Sequence, residues 1–169
     1  MSLNPRVSAL LLLLLVVPGL AGARSSDRNK DMTIVSNTND GNLSDNGVTV
    51  WTGNVELNQG TLSITSSRAE LRQRNGDPSV AILTGGPVKM RQQLDDGTWM
   101  DAKADRIEYD LQGEVITFIG NYCLESNKGS NCGQKLIYNT RTTAMQAGGD
   151  GTRVRTVIKP KSAQNKANP

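Results

Sequence analysis

The sequence contains no histidine. That absence removes Ser–His–Asp and Cys–His arrangements, imidazole metal ligands and the commonest general base at neutral pH in one step. Aromatic residues are scarce, with two Trp, three Tyr and one Phe among 169 residues, so a core has to be built mainly from aliphatic side chains. Cysteine is limited to Cys123 and Cys132. Without a CxxC pair, neither a dithiol redox centre nor a structural zinc site is indicated. Beyond the N-terminal segment no apolar run approaches the roughly 20 residues that a spanning helix needs. Charge is not massed either: 19 Lys and Arg are interspersed with 16 Asp and Glu. Interleaved charge describes a solvated surface and argues against a nucleic-acid partner.

What is present begins with a leader. Arg6, the apolar run "VSALLLLLLVV" and the small residues Ala21-Gly22-Ala23 have the order of a secretory signal peptide, residues 1–23, with cleavage after Ala23. An uncleaved anchor is the alternative, but the run is short and broken by Pro18-Gly19. Removing 23 of 169 residues leaves 146, enough for one domain. An exported chain meets an oxidising compartment, where a disulfide persists.

The mature chain alternates with period two. "VTVWTGNVEL" places Thr49, Trp51, Val55 and Leu57 on one side; Leu62 and Ile64 follow, then Ile107, Tyr109 and Leu111, then Ile116 and Phe118, then Leu136 and Tyr138. Turn signals separate the runs at Asn58-Gln59-Gly60, Asn75-Gly76-Asp77-Pro78, Asp95-Asp96-Gly97, Asn127-Lys128-Gly129 and Gly148-Gly149-Asp150-Gly151. Only "SSRAELRQ" resembles a helical turn, and it lacks a 3.6 period. The chain reads as all-β.

It also repeats itself. "WTGNVELNQGTLSITSSRAEL" (51–71) and "FIGNYCLESNKGSNCGQKLIY" (118–138) share Gly53/Gly120, Asn54/Asn121, Leu57/Leu124 and Ser63/Ser130, and "LTGGPVKM" places Gly85 between them. Each unit reads as a hairpin or β-arch with one apolar face that is buried only by stacking on its neighbours. A sheet rolled with such faces inward is either filled by its own side chains or encloses an apolar ligand.

The segments "GNVELNQGTLSITSSRAEL", "GGPVKMRQQLDDGTWMDAKADRIEYDLQGEVITFIGNYCL" and "GTRVRTVIKP" resemble the OstA-like family of periplasmic lipopolysaccharide-transport proteins, over residues 32–160. The resemblance implies a single open, twisted β-jellyroll of about sixteen antiparallel strands spanning residues 24–160. It implies a periplasmic, non-enzymatic conduit without a cofactor, which holds lipid A acyl chains along its interior. Its partners would be lipopolysaccharide, the inner-membrane anchored β-jellyroll component of the transporter, the N-terminal β-jellyroll of the outer-membrane translocon, and further copies of itself stacked head to tail. A membrane-anchored relative of the same fold and a ligand-free structural module are the alternatives.

Carried over residue by residue, the family's interior positions fall at Met32 and Ile34, at Ile107, Tyr109 and Leu111, and at Met90, where the family has an aromatic. Alternation adds Trp51, Ile64, Ile116, Phe118 and Tyr138 as candidate lipid contacts. Cys123 and Cys132 depart from the family pattern. With 126–129 as the turn they fall opposite one another, at a separation suited to a cross-hairpin disulfide. Lys89, Arg91, Lys103 and Arg106 fit outward positions or strand ends and read as a solvated face; lipid phosphates at the groove mouth are the sharper alternative. Glu108 and Asp110 share a side of their strand but read as ordinary outward charge rather than a catalytic carboxylate pair. Residues 161–169 carry no apolar pattern and read as a disordered tail. The edge strands are expected at "DMTIVS" and "TRVRTVIK".

Overall fold

The structure is a computed structural model that describes residues 27–42 and 44–164; the leader 1–23 and residues 165–169 lie outside the described residues. After a single 3-10 turn at Asp27–Asn29, ten strands follow: β1 (Met32–Val35), β2 (Thr38–Gly41), β3 (Val48–Gln59), β4 (Leu62–Arg74), β5 (Asp77–Gln93), β6 (Trp99–Asp110), β7 (Val115–Ser126), β8 (Gly129–Asn139), β9 (Met145–Ala147) and β10 (Arg155–Ile158). One helical turn, Lys161–Gln164, opens the tail. All ten strands form one antiparallel sheet in the order β1-β3-β4-β5-β6-β7-β8-β10, with β2 also on β3 and β9 also on β8. The one stretch with helical character, "SSRAELRQ", lies inside β4, because its neighbours on both sides supply ladder partners.

The six long strands are each interrupted near the middle. β3 carries the unpaired Gly53 and Asn54 against the single Ser67 of β4. β5 carries Gly85–Pro87 against Asp105 of β6, and β7 carries Gly120 and Asn121 against Gln134 of β8. Extra residues in one strand bend it and raise its twist, and six aligned breaks make a crease across the sheet. Counting the two halves of each long strand separately, with the four short strands, gives the sixteen segments the jellyroll reading expected.

The repeated Gly-Asn is therefore the crease itself. Gly53 and Gly120 have φ of 81° and 75°, and Asn54 and Asn121 follow at 48° and 46°. Gly and Asn are the residues that enter this left-handed region at least cost. The repeat spacing arises because β3, β5 and β7 run in the same direction and bend along one line. Side chains close the gaps left in the ladder. Ser67 donates to the Gly85 carbonyl at 2.9 Å, Asn121 donates to Asp105 at 2.8 Å, and Gln134 and Asn121 exchange hydrogen bonds of 3.2 and 3.1 Å.

One half-sheet comprises β1, residues 55–59, 62–66, 88–93, 99–104, 122–126 and 129–133, and β10. The other comprises β2, residues 48–52, 68–74, 77–84, 106–110, 115–119 and 135–139, and β9. Their inward faces contribute to a single apolar core that includes Leu57, Ile64, Leu83, Val88, Ile107, Ile116, Phe118, Tyr122 and Leu136. Burying each such side chain contributes roughly 1.5–3 kcal/mol. The halves thus close on each other like a folded card, hinged at the crease.

Candidate functional site

The interior is the candidate site. All eleven residues picked out for the apolar lining lie on the inward face: Ile64, Met90, Ile107, Tyr109, Ile116, Phe118 and Tyr138 in the core, with Met32, Ile34, Trp51 and Leu111 half-buried against it. Leu57, Leu62 and Leu136 from the same alternation are also buried, with exposures of 3 % or less.

Other lining residues escaped the alternation, some of them because the crease changes parity. Two extra residues in β7 preserve it, so continuing the count from Phe118 past Gly120-Asn121 would have reached Tyr122 and Leu124. In β4 and β6 the inward face shifts by an odd number, from Ile64 to Ala69 and from Ala104 to Ile107. Counting back from Ile107 would have turned Lys103 and Asp101 inward, whereas Ala104, Ala102 and Met100 point there. In β5, Leu83 and Val88 are both inward across the three residues of the break.

Polarity changes with depth. Along the crease the lining is mostly aliphatic, with Phe118 and with Tyr122, whose hydroxyl donates to Asn131. Toward the opposite side, where the hairpin turns of the two halves form two lips, amide and phenol groups enter. Tyr109 of one half donates its hydroxyl to Gln59 Oε1 of the other at 3.4 Å. Gln59 in turn donates to the Lys30 carbonyl at 3.3 Å. The N-terminal turn secures this lip: Asp27 is buried and accepts hydrogen bonds from the Thr61 amide and hydroxyl. Burial pushes the Tyr138 phenol up to about 12, and the charge of Asp95 in the facing lip adds to the effect. Along the same lip as Asp95, Lys128 pairs with Asp96 at 2.6 Å. That hydrogen bond, with a second from Thr98, holds the Asp96 carboxyl down at about 2.

The basic residues lie elsewhere. Lys89 and Lys103 face each other in register between β5 and β6 on the outer surface. They line a depression of about 400 Å³ that also takes in Arg91, Asp101 and Cys123. Arg91 approaches Asp101 at 3.6 Å and Arg106 pairs with Glu108 at 2.6 Å, which supports the solvated-face reading. Cys123 and Cys132 are directly opposed between β7 and β8 and form a disulfide with a Cα separation of 4.1 Å.

An open antiparallel jellyroll, creased along its middle and lined by one apolar face, defines the class. Residues 33–144 match the family described as LptA/(LptD N-terminal domain) LPS transport protein, and the chain belongs to that family. It is 30 % identical over 148 residues to the lipopolysaccharide export system protein LptA of Haemophilus influenzae, covering 85 % of this chain and 86 % of that one. It is 30 % identical over 151 residues to the protein of the same name from Escherichia coli K12, covering 88 % of this chain and 81 % of that one. Among solved structures it is similar to LptH, the LptA-homologous periplasmic component of the lipopolysaccharide transport device of Pseudomonas aeruginosa. The TM-score is 0.71 at 23 % identity, covering 80 % of this chain and 99 % of that chain, a likeness of fold.

Proposed function

We propose that this chain is a periplasmic conduit for lipopolysaccharide, taking the acyl chains between its two half-sheets while the phosphorylated sugar stays at the lips. The observation that carries the reading is the inward apolar face, to which every long strand contributes and which reaches the edge strands β1 and β9. A closed core needs no such continuity to its edges. A relay of stacked copies does, because the lining then passes from one subunit to the next. The family relatives named for lipopolysaccharide export support the same reading.

Transport here requires binding and release without bond chemistry. With the halves packed together, Ile107, Phe118 and Ile116 are fully shielded from solvent, so loading requires the lips to part. The crossing Tyr109–Gln59 hydrogen bond is neutral and long, and a bond of that type contributes only about 1 kcal/mol net. The lips are thus held lightly, while the crease is tied by several hydrogen bonds and its glycines.

The sheet ends in unpaired edges, β1 and β2 on one side and β9 and β10 on the other, which suits strand addition between copies. The same edges suit the inner-membrane anchored jellyroll component as donor and the N-terminal jellyroll of the outer-membrane translocon as acceptor.

The test is photocrosslinking to added lipopolysaccharide from a reactive side chain at Tyr109 or Met32, with outward Glu108 as control. Adducts at the first two and not at the third are expected. Absence of adducts at both inward positions would reduce the interior to an ordinary core and overturn the reading.

A further inference from the structure

Gln92 is a polar side chain in a mostly apolar lining. It lies two residues beyond Met90 on the inward parity of β5, pairs in register with Met100, and is 8 % exposed. Its Oε1 is buried with no hydrogen-bond partner among the described residues. On the facing half-sheet, Gln73 follows Leu71 on the same inward alternation of β4, and its Oε1 is likewise buried and unpartnered. Leaving one amide oxygen unsatisfied carries the full desolvation penalty of that group. Leucine or methionine at position 92 would avoid that penalty and fill the same space. A buried polar group without a partner calls for an explanation, and none of the crease or lip contacts supplies one.

We infer that Gln92 forms an amide subsite within the apolar lining that recognises the hydrogen-bonding linkage of the cargo. The class of ligand is an acyl chain joined through an amide or carrying a hydroxyl near its head. Such a group donates to the glutamine oxygen, whereas a plain ester has no proton to give. This rests on the proposed function and deepens it, because it tells how the interior distinguishes its lipid from bulk phospholipid, whose tails are equally apolar. Discrimination of this kind is strong where a site's buried polar groups go unpaired with the wrong ligand. The position fits: Gln92 lies near the lip-end of β5, two residues before Leu94, so it meets a chain close to its polar end rather than at its tail.

The test uses the mature chain and two purified lipids, lipid A, which carries amide-linked hydroxyacyl chains, and phosphatidylglycerol, which is anionic and ester-linked throughout. Gln92→Leu is expected to raise the melting temperature of the lipid-free protein by about 3 °C, because it removes the unsatisfied group. The same variant is expected to bind lipid A about tenfold more weakly while holding phosphatidylglycerol at least as well as the wild type. A structural role for Gln92 would lower the melting temperature instead. An unchanged lipid A to phosphatidylglycerol ratio in Gln92→Leu, with lipid A still bound by the wild type, would overturn the subsite alone. Failure of the wild type to bind either lipid would overturn the conduit reading and the subsite with it.

Discussion

Gly120 and Asp105 meet at the crease so closely that a β-carbon on the glycine would lie 2.5 Å from the Asp105 Oδ2. The same oxygen accepts the hydrogen bond from Asn121, so the carboxylate cannot retreat without losing it. Ser67 stands in the same relation to Gly85, with its Cβ 2.6 Å from the position a β-carbon would take. Glycine is required here twice over, for its positive φ and for the absence of a side chain. Gly120→Ala is expected to cost more than about 1 kcal/mol, visible as a drop in melting temperature with β-sheet content retained. Gly86→Ala, where nothing lies within 4 Å, is the control and should be near neutral. Equal behaviour of the two variants would remove the crease from the account of stability.

The Cys123–Cys132 disulfide closes a loop with a sequence separation of 9. Loops this short leave little chain entropy to remove, so the double variant Cys123→Ser/Cys132→Ser is expected to lose about 2 kcal/mol by urea unfolding and remain folded. Thiol titration of protein purified from an oxidising compartment should find no free thiol; two reactive thiols would refute the bridge in the native protein.

Tyr138 makes stability depend on alkaline pH. Its phenol titrates at about 12 in the fold, against an ordinary value of 10.0, through burial first and the Asp95 charge second. Below pH 10 the phenol is protonated in both folded and unfolded chains, and its full contribution is present. Above that pH the unfolded chain ionises first, and the contribution is lost as pH rises through the folded value. Urea midpoints measured from about pH 9 to about pH 11.5 should fall more steeply for the wild type than for Tyr138→Phe. Parallel slopes would mean that this phenol is not shielded as described.

Edge strands carry the expected assembly. Val157 and Ile158 on β10 and Val35 on β1 are exposed apolar residues on opposite margins of the sheet. Removing residues 152–160 leaves the crease and core strands intact, so the shortened chain should fold and scatter light as a monomer at concentrations where the full chain grows. Concentration-dependent growth that survives the deletion would assign assembly to another surface.

Alternation of single residues along the chain determined the all-β class, most of the turns and the inward side of strands such as β3 and β7, because a strand's two faces differ by one position and burial selects one of them. It placed Tyr109, Phe118 and Tyr138 correctly for the same reason, and the opposition of Cys123 and Cys132 followed from the turn at 126–129. The repeat of Gly-Asn was visible as a pattern, but its meaning was not. Only the tertiary structure showed that Gly53, Gly85 and Gly120 align across three strands into a crease, since that alignment depends on register between segments more than 30 residues apart. The parity reversals at Ser67 and Asp105 are equally invisible locally: one unpaired residue turns the following segment over, and a bulge exists only relative to a neighbouring strand. The lips belong to the same category. Gln59 and Tyr109 are 50 residues apart in the chain, and only folding at the crease brings the two halves close enough for one to hold the other.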